Sequence, residues 1–218
     1  MSRQVVAVDG IDGSGKSTFA GHLVTTLTAA GHHPVLLRVD DFRRIIDWSS
    51  ADEATLYYER YFDLEALGGV VQAFAANAMT LELPGFDGIT GQPLPPRQLP
   101  LEPDAILVIE GVFIRRIPFG TTPVSHIYLS APGSVARQQL IARDVARGRG
   151  RADIERRLDR RYLPGQARYH SECDPRGRAD LVVDNSDYAA PLLLSIGATP
   201  LPLFLSHVLP ALVPRRPD

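Results

Sequence analysis

The chain has 218 residues, a formal net charge of −2, 44% hydrophobic residues and 22% charged residues. That length can bury one core, and the near-neutral balance excludes a general electrostatic pull towards nucleic acid or an anionic membrane. The single cysteine, Cys173, excludes an internal disulfide and suits a reducing cytoplasm. No secretory signal is visible, because Arg3 leads directly into a short apolar run. The C-terminal LPLFLSHVLPALV is broken by Pro202 and Pro210 and is too short to span a bilayer, so it reads as a packing segment.

Residues 4–8, QVVAV, read as a buried strand, short and β-branched. Residues 16–30 have helical spacing, with Phe19, Leu23 and Leu27 on one face and Gly31 closing the run. A second strand at 34–39, PVLLRV, completes a βαβ unit, which implies a parallel sheet with a right-handed crossover. Residues 52–80 are predicted helical, with Gly68 and Gly69 dividing them into two helices. Residues 84–103 hold six prolines and three glycines, which rules out a helix or a central strand. They read as a long excursion with room for short edge strands, and such loops are usually functional.

The most apolar strand, AILVIEG at 105–111, is predicted to be central, followed by a strand at 126–130. Arg-rich helices are expected at 132–147 and 152–161, and a last strand at 179–185. There is no internal repeat. Alternating strands and helices predict an α/β fold: a doubly wound parallel sheet flanked by helices, forming one domain over residues 1–218.

The stretch DGIDGSGKST matches G-x-x-x-x-G-K-[ST] at every defined position. Gly10, Gly13 and Gly15 let successive backbone N–H groups point inward without Cβ clashes, with Asp12 and Ser14 between them. The helix that follows turns its N-terminus and positive dipole towards the anion. Lys16 is expected to reach the β- and γ-phosphates, Ser17 to complete a Mg²⁺ shell, and Thr18 to line the nucleotide site. The strand before and the helix after are the context this P-loop NTPase reading requires. The late Asn185-Ser186-Asp187 lacks the lysine and the spacing of a guanine-reading motif, which favours ATP.

Ligands in such sheets sit beyond the carboxyl ends of the strands. VDDF places Asp40 and Asp41 after the second strand, and VIEG places Glu110 at the end of the central one. A kinase needs a carboxylate to take the acceptor's proton and an acid to serve Mg²⁺; Asp40 suits the first role and Glu110 the second. Capping or turn formation is the structural alternative for the aspartates, and Asp41 fits a cap or a supporting contact. The segment 137–162 carries nine arginines. Pairing along a solvated helix explains Arg156, Arg157 and Arg160. The glycine-broken RGRGR instead suits a basic lid, at about 143–160, that closes over a triphosphate. A nucleic-acid patch is the weaker reading, since no aromatic residues interleave with these arginines.

In that order, residues 4 to about 185 resemble the uridine kinase-like branch of the P-loop kinases, which includes phosphoribulokinase and pantothenate kinase relatives. DGIDGSGKST is similar to that family's phosphate loop and VDDF to its Asp-x-Phe segment, which implies that Asp40 is the base. YFDLEAL resembles a segment whose acid binds ribose hydroxyls, here Asp63. VIEG matches its Glu-Gly pair at Glu110. ARDVARGRGR resembles the lid, with Arg143 as its phosphate-contacting arginine and Arg149 beside it, and RADLVVDN resembles the final strand. The departures fall where the base would be read: PGFDGITG has Phe86 for a tyrosine and Gly91 near a histidine, Leu140 replaces an arginine, and Arg161 replaces a glutamine. Asp63 and Asp87 remain. A site without those polar partners does not discriminate for a pyrimidine, so uridine itself is not expected.

The expectation is an ATP- and Mg²⁺-dependent kinase acting on a hydroxyl of a small molecule, nucleoside-like or a polyol. The substrate excursion covers about 44–103, and Asp40, Asp63, Phe86, Asp87 and Arg161 face the acceptor. Lys16, Arg143 and Arg149 are expected to neutralise the moving phosphoryl group. The protein is expected to be a monomer or homodimer with no membrane or nucleic-acid partner. The alternatives are an accessory NTPase that switches with its nucleotide and a nucleic-acid modifying kinase. The first needs Cys or His clusters, of which His32-His33 is the only adjacent pair.

Overall fold

A computed structural model describes residues 3–49 and 52–213. The first strand, β1, spans Gln4–Gly10, and helix α1 spans Lys16–Ala29. Strand β2 is Pro34–Arg38, followed by a 3₁₀ turn at Val39–Phe42. Helices α2, Glu53–Glu59, and α3, Leu64–Ala75, precede strands β3, Thr80–Asp87, and β4, Gln92–Pro100. Strand β5 is Ile106–Glu110, β6 is Val124–Ser130 and α4 is Gly133–Ala146. Helix α5, Arg151–Arg157, runs through a π-helical turn at Leu158–Tyr162 into α6, Leu163–Cys173. Strands β7, Leu181–Asp184, and β8, Leu192–Ile196, lead to α7, Leu203–Leu212.

Six strands form the main sheet in the order β2-β5-β1-β6-β7-β8. All neighbours pair in parallel except β8, which runs antiparallel along β7. The α/β fold predicted from the alternation is the one observed. Its apolar strands have a simple cause: both faces are covered, so a strand cannot alternate with polar residues. On β1, Val5 and Ala7 join one core while Val6 and Val8 join the other; on β5, Leu107 and Ile109 part from Ile106 and Val108 in the same way. The first core is closed by α2 and α3 through Tyr57, Tyr58, Leu67, Val71 and Phe74. The second is closed by α1 and α7 through Phe19, Leu23, Leu27, Leu205 and Val208. The C-terminal stretch is thus a packing helix, and Pro210 sits within its last turn.

Four elements differ from expectation, the first being β8, which follows the strand expected to be last and pairs with it antiparallel. Gly68 and Gly69 lie inside α3, and the chain breaks instead at 60–63, where the Asp63 carboxylate caps α3 by accepting from Ala66 N–H. Gly68 is glycine for packing, since a Cβ there would lie 2.6 Å from Pro118 Cγ. The proline-rich excursion is a long antiparallel hairpin, β3–β4, standing as its own two-stranded sheet. Prolines are tolerated because both strands are edges, and the register shifts between Leu83 and Gly85, around Pro84. Helix α6 extends the Arg-rich region past its predicted end, with Pro164 directly after the π-helical turn.

Leu23 is fully buried between the sheet and the helices of the second core. Leu23→Ala is expected to destabilise the fold by about 2–5 kcal/mol, measured as a lower denaturant midpoint with an unchanged m-value.

Candidate active site

The parallel strands end on one edge of the sheet, and the glycine turn between β1 and α1 lies there. Gly13 and Gly15 have φ of 80° and 87°, a region that glycine enters without steric cost. Neither could carry a side chain in any case. Gly13 lies against the backbone of Ala136 in α4, and a Cβ on Gly15 would lie 3.0 Å from the Tyr188 ring. The loop is also held from outside. Asn185 Nδ2 donates to the Ser14 carbonyl at 2.7 Å, and the Tyr188 hydroxyl donates to the Gly13 carbonyl. Lys16 Nζ folds over the loop and donates to the Ile11 carbonyl at 2.8 Å.

Facing the loop are the acids at the ends of neighbouring strands. Ser17 Oγ donates to Glu110 Oε1 at 3.0 Å, with Arg38 Nε 3.8 Å from the same oxygen. Glu110 is buried, and burial raises its pKa against the opposing charge of Lys16. Asp40, on the 3₁₀ turn after β2, is exposed and paired with Arg43. Asp41 beside it is half-buried, which raises its pKa despite nearby Arg38 and Arg97. Asp12, Gly13, Lys16, Ser17, Thr18, Asp40, Glu110 and Arg143 all line one cleft of about 330 Å³, together with Gln139 and Arg147 of α4 and the residue after it. A second cavity of about 490 Å³ adjoins it along α1, lined by His22, Thr25, Thr26, Tyr188 and Pro191 among others.

The remaining predicted residues lie elsewhere. Asp63 is the cap of α3 and pairs with Arg44 at 2.8 Å. Asp87 organises the β3–β4 turn, accepting from Ile89 N–H and Thr90 Oγ1. Phe86 packs near the Arg43 guanidinium, 5.9 Å from its ring centre. Arg161 is 4% exposed, pairs with Glu53 at 2.8 Å and stacks 3.3 Å over the Trp48 ring. Arg143 and Arg149 both bond Asp144, and Arg149 also donates to the Gly88 carbonyl at the hairpin tip. Leu140 is buried in a small apolar cluster with Ile141, Ile154 and Leu158.

Sequence reasoning missed Asp9, Tyr57, Gln166, Tyr169 and Tyr188. Asp9 did carry a signal: it is a charge at the end of an apolar strand, next to the first loop glycine. It is fully buried, and burial lifts its pKa to about 6, although the Tyr169 hydroxyl and Gly10 N–H both donate to its carboxylate. Tyr57 and Gln166 come from α2 and α6, and nothing local marks them. The Tyr57 hydroxyl donates to Asp12 Oδ2 at 2.8 Å and Gln166 Nε2 donates to the same oxygen at 2.7 Å.

Among solved structures, the chain is similar to a possible uridine kinase from Bacillus stearothermophilus. The likeness has 26% identity and a TM-score of 0.65 over 84% of this chain and 89% of that one. The chain has the P-loop kinase fold. A candidate fructose transport system kinase from Silicibacter sp. shares the fold at 21% identity, with a TM-score of 0.63 over 78% of this chain and 85% of that one. No protein-family model matches the chain, and neither does any curated protein. The first likeness, together with the loop geometry, supports nucleotide binding and phosphotransfer by this P-loop kinase fold. Among the described residues, no helix is long and apolar enough to cross a membrane.

Asp9 gives the fold a pH dependence of definite sign. Its folded pKa of about 6 lies above the unfolded value of 3.8, so the folded state holds the proton more tightly. Its contribution to stability is greatest below the unfolded value and is lost as the pH rises through about 6, a change of about 3 kcal/mol. Asp9→Asn is expected to remove that fall, so that the variant gains on the wild type between pH 4 and pH 7 in denaturant titrations.

Proposed function

We propose that the protein is a kinase that transfers the γ-phosphoryl group of ATP, with Mg²⁺, to a hydroxyl of a small molecule. The observation that carries this reading is the position of Asp40. An exposed carboxylate at the end of β2 shares one cleft with Lys16, Ser17, Glu110 and Arg143. A nucleotide switch needs the loop and the metal-side acid; an exposed carboxylate in the same cleft, held by Arg43 through one oxygen, is what phosphoryl transfer to a hydroxyl adds.

In this reading the loop amides and Lys16 hold the phosphates, and the neighbouring cavity along α1 takes the nucleoside. The acceptor oxygen attacks the γ-phosphorus while its proton passes to Asp40. The bond from phosphorus to the β–γ bridging oxygen breaks, and ADP leaves. Arg143 and Arg147 face the same cleft and offset the charge on the transferring group. Ser17 Oγ and the Glu110 carboxylate are hard oxygen donors set 3.0 Å apart, and they fit a Mg²⁺ ion that keeps several waters and also binds substrate phosphates. Among the described residues no group of three or more His, Cys, Asp or Glu side chains could hold a metal, and a Mg²⁺ shared with a nucleotide requires none. When bound, the ion would neutralise phosphate charge.

The nucleic-acid reading is weakened by how the arginines are spent. Arg137 pairs with Asp159, Arg151 with Glu155, Arg157 with Asp153, and Arg156 with Glu53 and Asp153. The test is ADP release with ATP and Mg²⁺ across sugars, polyols, nucleosides and vitamins. Acceptor-dependent release that is lost in Lys16→Ala is expected. Asp40→Asn should lower kcat by about a hundred-fold or more while nucleotide binding stays intact. Release indifferent to every acceptor would overturn the kinase reading.

A further inference from the structure

The loop position of Asp12 raises a physical problem. Within the loop segment itself the other groups that can face a phosphate are N–H groups, hydroxyls and the Lys16 ammonium, and a carboxylate there repels a triphosphate unless the acid is turned elsewhere. Asp12 is turned. Its Oδ2 accepts from the Tyr57 hydroxyl at 2.8 Å and from Gln166 Nε2 at 2.7 Å, while its own N–H donates to Gln166 Oε1 at 3.2 Å. Tyr57 is 2% exposed and Gln166 5%, so the donors are fixed by packing and hold the carboxylate in one orientation. Among the described residues its Oδ1 takes no hydrogen bond, and Asp12 lines the cleft with Asp40. The two carboxylates share surroundings: the Arg143 guanidinium and the Tyr57 hydroxyl each lie within the field of both.

A tie between the loop and helices α2 and α6 would need only a neutral amide at this position. A carboxyl with one oxygen held by two buried donors and the other turned to the cleft can instead accept a hydrogen bond from a ligand hydroxyl. We infer that Asp12 binds a second hydroxyl of the phosphate acceptor, beside the one that reacts, and so selects polyhydroxylated acceptors. Asp40 then takes the proton of the reacting hydroxyl while Asp12 fixes the orientation of the molecule that carries it. This rests on the kinase reading above and narrows its substrate class to molecules with at least two neighbouring hydroxyls. The acid belongs by sequence to the nucleotide loop, yet it acts on the acceptor.

The experiment uses the full chain with D-fructose, D-ribose, glycerol and uridine, each beside a counterpart lacking one hydroxyl. Calorimetry with a non-hydrolysable ATP analogue runs in parallel. The wild type is expected to favour the complete acceptor by about ten- to a hundred-fold in kcat/KM, the usual penalty for an unpaired polar group in a binding site. Asp12→Asn keeps an oxygen for Tyr57 and Gln166. It should raise the acceptor KM, erase the preference between complete and deoxy acceptors, and leave nucleotide affinity intact. A variant that loses nucleotide affinity places Asp12 with the donor and overturns the inference. So does an unchanged acceptor KM, and so does a wild type that accepts the deoxy counterparts equally well, a result that needs no variant to fold. Absence of acceptor-dependent ADP release from the wild type overturns the kinase reading itself, which separates the two failures.

Discussion

A glycine turn that must present its amides to an anion cannot also use them to hold itself together. Here Ser14 N–H closes on the Ile11 carbonyl at 3.1 Å, and the remaining support comes from side chains that reach in from distant parts of the chain. Asn185 and Tyr188 hold the Ser14 and Gly13 carbonyls from the segment after β7. Tyr57 and Gln166 hold Asp12 from α2 and α6, and Tyr169 holds Asp9 at the root of the loop. The phosphate cradle is therefore a product of the whole fold. Its Gly13 and Ser14 carbonyls are satisfied, the Gly13 and Gly15 N–H groups take no hydrogen bond among the described residues, and its shape is set before a ligand arrives, which is the condition for electrostatic stabilisation without reorganisation.

The same crowding organises the charge. Asp9, Asp12, Asp40 and Glu110 surround a single lysine. They avoid mutual repulsion by different means. Asp9 is buried to the point of holding its proton up to about pH 6. Glu110 is buried beside Lys16 and Ser17, Asp40 is exposed and paired with Arg43, and Asp12 is oriented by two buried donors. Four carboxylates within one edge of a sheet thus acquire four environments, and different environments permit different roles.

The arginines show how residue type and residue role come apart. Of the nine arginines between 137 and 162, pairing with acids was expected for Arg156, Arg157 and Arg160, and a basic lid only for the glycine-broken RGRGR. Most of the nine are stitched to acids, and Glu53, almost fully buried, gathers Arg156, Arg160 and Arg161. What remains for the cleft is Arg143 and Arg147, with Arg149 reaching to the hairpin tip. The pairs Arg151–Glu155, Arg156–Asp153 and Arg157–Asp153 follow helical spacing, whereas the pairs to Glu53 join residues far apart in the chain and no local pattern records them.

Read along the chain, the periodicities of β1, α1, β5 and the glycine spacing of the loop determined the α/β class, the position of the cradle and the acids Asp40 and Glu110 at neighbouring strand ends. These are local signals: apolar runs, helical spacing and turn chemistry act over a few residues. The expected break at Gly68 and Gly69 failed: both lie inside α3, and Gly68 answers to the contact with Pro118, which only the packed helix reveals. The proline-rich excursion became a hairpin because its strands have no further neighbours, a property of the sheet and not of the segment. Asp63, Asp87 and Arg161 were drawn to caps, turns and an ion pair, while Tyr57 and Gln166 reached the loop from segments with no motif at all. Tertiary structure alone decided which side chains meet, because those bonds join residues as far apart as 12 and 166, and sequence separation carries no information about the distance between them.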